Sequence, residues 1–312
     1  MKIVEVGPRD GLQNETASIP TAVKIAFVDA LSEAGVNEIE VTAFVSPRWV
    51  PQLRDGEAVL AGIVRRDDVV YSALVPNEEG LDQAMAARVD KIAVFTAASE
   101  TFNRKNINTT IAGSMRRFGP VVRRARDAGL AVRGYISAAF WCAFEGRILP
   151  EATVDVARRL IDLGVHEVSI SDTVGKASPA EVDLLFDQLL PAIPTERIAV
   201  HFHDTYGRGV ANVRCSWLRG VRTFDASVGG LGGCPFAPGA TGNVATEDVV
   251  NALAENGLAV GVDPARLNQA RRLLDPFLVD DRRTMPAADS PACEACEYTR
   301  GDDCCHRERV EA

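Results

Sequence analysis

Long apolar segments are missing from this 312-residue sequence: no run reaches the roughly 18 residues that a membrane-spanning helix requires. Features of a signal peptide are missing too, because a strand-like segment, Lys2–Val6, follows Met1 directly. An excess of positive charge is also missing, since 34 Lys and Arg face 43 Asp and Glu, for a formal net charge of −9. We therefore predict a soluble cytoplasmic protein with no membrane partner and no nucleic-acid partner.

Cysteine is too unevenly placed for the disulfide framework of a secreted protein. Of seven cysteines, four crowd the C-terminus: Cys293, Cys296, Cys304 and Cys305. With His306 they offer enough ligands for a structural zinc site. The residues after about Thr284 are nevertheless poor in apolar side chains, which favours disorder. We therefore predict a disordered tail over residues 285–312, with redox-labile thiols and then zinc as lower-ranked alternatives.

Short β-branched segments alternate with amphipathic helical patterns over residues 1–284. Strands are predicted near residues 2–6, 38–43, 69–75, 90–96, 131–137, 166–171, 197–203 and 223–228. The predicted helices include Thr21–Ala34, Glu78–Ala87, Ile107–Ala128, Pro150–Leu163 and Pro179–Leu190. Eight such βα units imply one α/β domain, a closed (β/α)₈ TIM barrel. The runner-up is an open doubly wound sheet, but no G-x-G-x-x-G follows the first strand.

Unusual polar residues fall at the predicted strand ends, where active sites of (β/α)₈ barrels lie. His201 and His203 end the seventh strand, and alternation along a strand points both imidazoles to one face, away from Phe202. Two imidazoles followed by Asp204 suit a divalent cation. The alternative is a polar strand end in which each histidine bonds to a neighbour. The sequence has only four histidines, so we favour the cation.

Five segments form recognisable motifs: Arg9–Glu15, Glu40–Gln52, Asn103–Asn108, His201–Thr205 and the glycine-rich Ser227–Pro235. They are similar to those of the 3-hydroxy-3-methylglutaryl-CoA (HMG-CoA) lyases, within the wider group of metal-dependent barrel lyases and Claisen-type synthases. The similarity covers roughly residues 2 to 278. It implies cleavage of the C2–C3 bond of an acyl-CoA thioester, with acetyl-CoA leaving first as an enolate, in an enzyme expected to be a homodimer.

The resemblance also assigns roles to individual residues. It implies a Mg²⁺ or Mn²⁺ ion bound by Asp10, His201, His203 and Asn243. Arg9 would face the enolate oxygen, Cys234 would protonate the enolate carbon, and either His201 or Asp172 would be the base, with Glu40 orienting or balancing charge. Substrate contacts would come from Arg9, Gln13, Thr173, Arg48 and Lys105.

Several positions depart from the pattern of these lyases, and they leave the substrate open. Trp141 stands where glycine is usual, and the segments 141–146 and 171–177 both differ. Gly229 replaces the usual alanine and Phe236 the usual tyrosine. The alternatives are the same chemistry on another 3-hydroxyacyl thioester, a condensing synthase of the isopropylmalate or homocitrate type, and a non-catalytic barrel. Leu12 argues against the synthase, because those relatives usually carry an acidic residue there.

Overall fold

Eight parallel strands close into a barrel in the computed structural model, which describes residues 1–233 and 242–278. The barrel strands are β1 (Lys2–Glu5), β2 (Glu38–Ala43), β3 (Val70–Leu74), β4 (Lys91–Ala97), β5 (Ala131–Ser137), β8 (Glu167–Asp172), β9 (Ile198–Phe202) and β10 (Thr223–Ala226), and a hairpin after β5 holds β6 (Trp141–Cys142) and β7 (Gly146–Arg147). The barrel strands are adjacent in this order, and β10 pairs with β1 to close the sheet. The closed sheet confirms the predicted (β/α)₈ fold and excludes the open sheet.

Helices surround the barrel and bury their apolar faces against it. Phe27, Phe118 and Phe186, on three of these helices, are fully buried between helix and sheet. None of the helices within the described ranges is long and apolar enough to span a bilayer. The helices are α1 (Thr21–Glu33), α2 (Gly56–Gly62), α3 (Glu78–Ala86), α4 (Glu100–Ile107), α5 (Ile111–Asp127), α6 (Pro150–Leu163), α7 (Pro179–Leu189), α8 (Gly209–Leu218), α9 (Thr246–Ala254) and α10 (Pro264–Arg272).

Two predicted elements have a boundary that is wrong by more than one residue. The helix predicted as Ile107–Ala128 begins only at Ile111, because Asn108 ends α4 in the left-handed region (φ 52°) and the Thr110 hydroxyl caps α5. The strand predicted near 223–228 ends at Ala226, where a single 3₁₀ turn, Val228–Gly230, takes over. Gly229 has a φ of +60° in this turn, a conformation that glycine adopts without strain.

Candidate active site

The turn after β1 brings Arg9 and Asp10 to the barrel mouth. The amides of Arg9, Asp10 and Gly11 all donate to the Val6 carbonyl, so the chain leaves the strand in one tight turn. The Gly7 amide donates to Glu5 Oε1 over 2.9 Å, and a Cβ at Gly7 would lie 2.6 Å from that oxygen. A side chain at this position would therefore have to displace the buried Glu5 carboxylate, which glycine avoids.

Arg9 is held rigidly by two carboxylates and an aromatic ring. Its guanidinium contacts Glu40 Oε2 and Asp10 Oδ1, each at 2.5 Å, and lies 5.6 Å from the Tyr135 ring centroid. Burial lowers the pKa of Arg9, but Glu40 and Asp10 outweigh it and leave the pKa above its ordinary value. Arg9 is thus a fixed cation, only 7% exposed, at the mouth of the barrel.

Asp10, His201 and His203 form a compact group of potential metal ligands. One ligand atom from each lies within 4.8 Å of the others, and the two imidazole centroids are 5.4 Å apart. Although burial raises the pKa of Asp10, Arg9 and the histidines bring it down to about 2. Burial, and next the neighbouring His201, lower the pKa of His203 to about 4. The carboxylate of Asp10 is therefore ionised and the His203 ring neutral near pH 7, as metal ligands must be.

Asn243 completes this group from the other side of the mouth. Its segment pairs with the end of β9, since the Val244 amide donates to Phe202 O and the Asp204 amide to Gly242 O. The Asn243 amide donates to Asp10 Oδ2 over 2.8 Å, which leaves its buried Oδ1, like His203 Nδ1, without a hydrogen-bond partner among the described residues. A carboxylate, two imidazoles and an unpaired amide oxygen fit a hard divalent cation such as Mg²⁺ or Mn²⁺.

The remaining predicted residues lie in the mouth, in the loops that surround it, or outside the described residues. Gln13 Nε2 donates to Asp10 Oδ1 over 3.0 Å, at the centre of the site. Thr173 Oγ1 accepts from the Ala138 amide and Asp172 Oδ2 from the Ala177 amide, so both side chains support the loops after β5 and β8. Arg48 is exposed in the loop after β2 and Lys105 on α4, after β4, and Cys234 lies outside the described residues.

Three buried residues beneath the mouth were not predicted from the sequence. Arg133 and Tyr135 on β5 and Asp225 on β10 point into the barrel, where Arg133 Nη1 donates to Asp225 Oδ1 over 2.6 Å. A signal for them was available, because charged or polar residues alternating along a predicted barrel strand must point into its interior. Burial raises the pKa of Asp225, but Arg133, His201 and Ser169 together more than offset this, and the net shift is downward.

The fold and the site together define a class: a (β/α)₈ barrel with a candidate metal site and a fixed arginine at its mouth. The model of the family described as HMGL-like matches residues 1–274. The chain belongs to this family.

Named relatives narrow the class further. The sequence is 49% identical over 263 residues to the hydroxymethylglutaryl-CoA lyase of Pseudomonas mevalonii, covering 84% of this chain and 87% of that one. It is 49% identical over 265 residues to a 3-hydroxy-3-isohexenylglutaryl-CoA/hydroxymethylglutaryl-CoA lyase of Pseudomonas aeruginosa, covering 84% and 88%. The crystal structure of the HMG-CoA lyase from Brucella melitensis superposes with a TM-score of 0.87 at 50% identity, covering 88% and 97%. These likenesses confirm the predicted class, a carbon–carbon lyase.

Proposed function

We propose that this protein cleaves HMG-CoA into acetyl-CoA and acetoacetate and depends on a divalent cation. The observation that carries the proposal is the convergence of Asp10, His201, His203 and Asn243 beside the fixed Arg9, in a chain about half identical to HMG-CoA lyases. Asp10, His201, His203 and Asn243 would hold the cation. When bound there, it would acidify the C3 hydroxyl of the substrate and orient its oxygens.

Arg9 is suited to stabilise the negative charge that develops on the thioester oxygen. Its guanidinium is already aligned by Glu40 and Asp10, so little reorganisation accompanies the formation of an enolate. Glu40 itself is buried, and burial raises its pKa while Arg9 opposes the rise. We assign Glu40 the role of orienting Arg9 rather than contacting the substrate.

Of the two candidates for the base, only His201 faces the mouth, and its Nε2 can accept the proton of the substrate only while it is not bound to the cation. Its Nε2 lies 3.9 Å from Asp10 Oδ2 and so faces the mouth. Asp172 has the pKa of a useful base, raised to about 6 chiefly by burial. Asp172 is, however, fully buried, and its register partner is Phe202 rather than His201, so it faces away from the barrel interior. We therefore propose that Asp172 holds the loop after β8.

The proposed proton donor to the enolate carbon is Cys234, which follows four glycines interrupted only by Leu231. The described part of that loop approaches the site, because a Cβ at Gly232 would lie 2.7 Å from Asn243 Nδ2. Asn14 Nδ2 also donates to the Gly233 carbonyl over 3.4 Å. These contacts bring the two residues before Cys234 close to Asn243 and Asn14, which supports the proposed role.

A second candidate substrate is a related 3-hydroxyacyl thioester with a longer branch at C3. The P. aeruginosa relative is named for such a compound as well as for HMG-CoA. The segments that depart from the lyase pattern contact each other here, since Lys176 Nζ lies 3.9 Å from the Trp141 ring centroid. These contacts lie beside the mouth, at the ends of β5 and β8, where they can influence the choice of acyl group.

The test is a coupled assay on metal-stripped protein with HMG-CoA, with and without added Mg²⁺ or Mn²⁺. The Cys234→Ala variant should lose turnover by about 100-fold or more while keeping its Mn²⁺ affinity. Cys215→Ala is the matched control, because Cys215 lies on α8 with its thiol against the Pro179 carbonyl. Mn²⁺ binding without turnover would favour the longer thioester, and a metal-independent reaction would refute the proposal.

Three further expectations accompany this function. The CoA phosphates are proposed to meet exposed cations of the rim such as Arg48 and Lys105. A homodimer in the cytoplasm remains our prediction. Analytical ultracentrifugation would measure the oligomeric state, and fractionation of the source cells would measure the location of the protein.

A further inference from the structure

Asp225 lies beside His201 in the interior of the barrel. The two residues are register partners on the neighbouring strands β10 and β9, and Asp225 is only 2% exposed. Its Oδ2 lies 3.5 Å from His201 Nδ1, at the outer limit of a hydrogen bond. The Tyr135 ring meets the imidazole edge-on, with centroids 6.2 Å apart, so the imidazole is confined on a second side.

The Asp225 carboxylate is itself anchored at both oxygens. Arg133 Nη1 donates to Oδ1 over 2.6 Å, and the Ser169 hydroxyl donates to Oδ2 over 2.8 Å. Arg133 is fixed in turn by Glu167, which accepts from its Nε over 3.0 Å. This chain of contacts gives the carboxylate a single orientation, which is what a positioning group requires.

His201 Nδ1 has no alternative partner. It is buried, and no group among the described residues, Asp225 at 3.5 Å included, forms a hydrogen bond of good geometry with it. A buried ring nitrogen beside a carboxylate is stable as a donor and costly as an unpaired acceptor. His166 shows the opposite case, because its Nδ1 accepts from the Val132 amide over 2.9 Å.

We propose that Asp225, held by Arg133 and Ser169, is a positioning residue that keeps the proton of His201 on Nδ1 and directs the Nε2 lone pair to the mouth. The inference rests on the proposed function, in which His201 Nε2 serves the cation or a proton of the substrate. Without the carboxylate, the imidazole could rotate or carry its proton on Nε2. No lone pair of His201 would then point to the site that Asp10 and His203 line.

The closing experiment measures Mn²⁺ affinity by the electron paramagnetic resonance signal of the free ion in the full-length protein. Asp225→Asn should weaken binding about 10- to 100-fold. The matched control, Glu38→Gln, removes another buried carboxylate of the barrel, one paired with Lys2 and Lys91, and should stay within about threefold of wild type. Unchanged affinity in Asp225→Asn, or equal losses in both variants, would overturn the proposal.

A second measurement determines the tautomer of His201 in the wild-type protein and uses a variant only to assign the signal. In protein labelled with ¹⁵N-histidine, the signal that disappears in His201→Gln belongs to His201 and should show a proton on Nδ1. A proton on Nε2 would overturn the proposal. A wild-type protein with the Nδ1 proton but no Mn²⁺ binding would support the positioning role and refute the metal-dependent function, so the two failures are distinguishable.

Discussion

Two clusters of buried charge share the interior of this barrel, and they differ in how completely they are paired. The lower cluster sets three cations, Lys2, Lys91 and Arg133, against three carboxylates, Glu38, Glu167 and Asp225. The upper cluster at the mouth sets one cation, Arg9, against the carboxyl groups of Asp10 and Glu40. The lower cluster is therefore balanced in charge, whereas the upper one has room for an added cation.

The same difference extends to hydrogen bonding. At the mouth, Asn243 Oδ1 and His203 Nδ1 are buried without a partner among the described residues. Each lower carboxylate has at least two donors or cations within contact distance. An unpaired buried acceptor costs free energy unless a ligand uses it. Between these two clusters, open acceptors therefore occur at the mouth and not among the lower carboxylates.

The largest expected effect follows from removing a proposed metal ligand at the mouth. His203→Gln should lower turnover of HMG-CoA by at least about ten-thousandfold, because the substrate then loses the several kcal/mol that a bound cation supplies. Its free energy of unfolding without metal should change by less than about 1 kcal/mol, since His203 Nδ1 has no described partner to lose. The coupled assay and urea unfolding measure the two effects. Turnover near the wild-type rate would remove His203 from the site.

The opposite result is expected in the lower cluster. Lys91 Nζ contacts Glu38 at 3.0 Å and also pairs with Glu167. Lys91→Met therefore removes a positive charge that balances these two carboxylates. Breaking a buried ion pair in this way should reduce the free energy of unfolding by roughly 3–5 kcal/mol. Mn²⁺ affinity should stay within about threefold of wild type.

The double variant Lys91→Met/Glu167→Gln is the control for this prediction. It removes one charge of each sign, so it should recover part of the stability lost in Lys91→Met, as urea unfolding will measure. A loss of Mn²⁺ affinity as large as that in His203→Gln would mean that the two clusters act as one unit, contrary to the comparison.

Whether the sequence predicts a contact in these clusters depends on how far apart the two residues lie along the chain. Alternation within β9 was enough to pair His201 with His203, because two residues on one strand face need no knowledge of the rest of the fold. The contact between Arg133 and Asp225 joins residues 92 positions apart and depends on the register of every strand between them. Glycines and prolines marked the βα units well, whereas the break at Asn108 required a left-handed residue that is not glycine.

Thr173 shows a second limit of prediction from sequence. Its hydroxyl is predicted to contact substrate, which stays a prediction, and it also accepts from the amide of Ala138, a contact that the sequence did not indicate. Ala138 has a φ of +51°, so this amide points in a direction that no residue pattern indicates. Side chains that satisfy irregular backbone cannot be told from ligand-binding ones until the backbone is known.

A carboxyl group with only neutral partners extends the comparison to pH. Glu5 accepts from Thr246 Oγ1 and from the amides of Val228 and Gly7, and its burial raises its pKa from 4.5 to about 7. The folded state then binds more protons than the unfolded state between these values, so its contribution to stability is full below pH 4.5 and is lost as the pH rises to 7. The loss should be about 3 kcal/mol.

Urea unfolding at pH 4.5 and pH 7.5 tests this sign. The stability of the wild type relative to Glu5→Gln should fall by about 3 kcal/mol between the two conditions, because the variant has no proton to lose at that position. An equal difference at both pH values would show that Glu5 titrates at its ordinary pKa in the folded protein, and a rise would reverse the sign.

The smallest effect is expected where charges are exposed and loosely paired, outside both clusters. Lys105→Ala, which removes an ammonium 4.8 Å from the Phe144 ring centroid, should raise the KM for HMG-CoA about three- to tenfold and leave kcat unchanged. The effect should shrink as salt is added, because exposed charges on the rim attract phosphates through screened solvent. Arg159→Ala is the matched control, since Arg159 is an exposed cation on the outer helix α6, paired with Asp155. A fall in kcat would place Lys105 with the catalytic groups of the mouth, whereas an unchanged KM at low salt would exclude it from CoA binding.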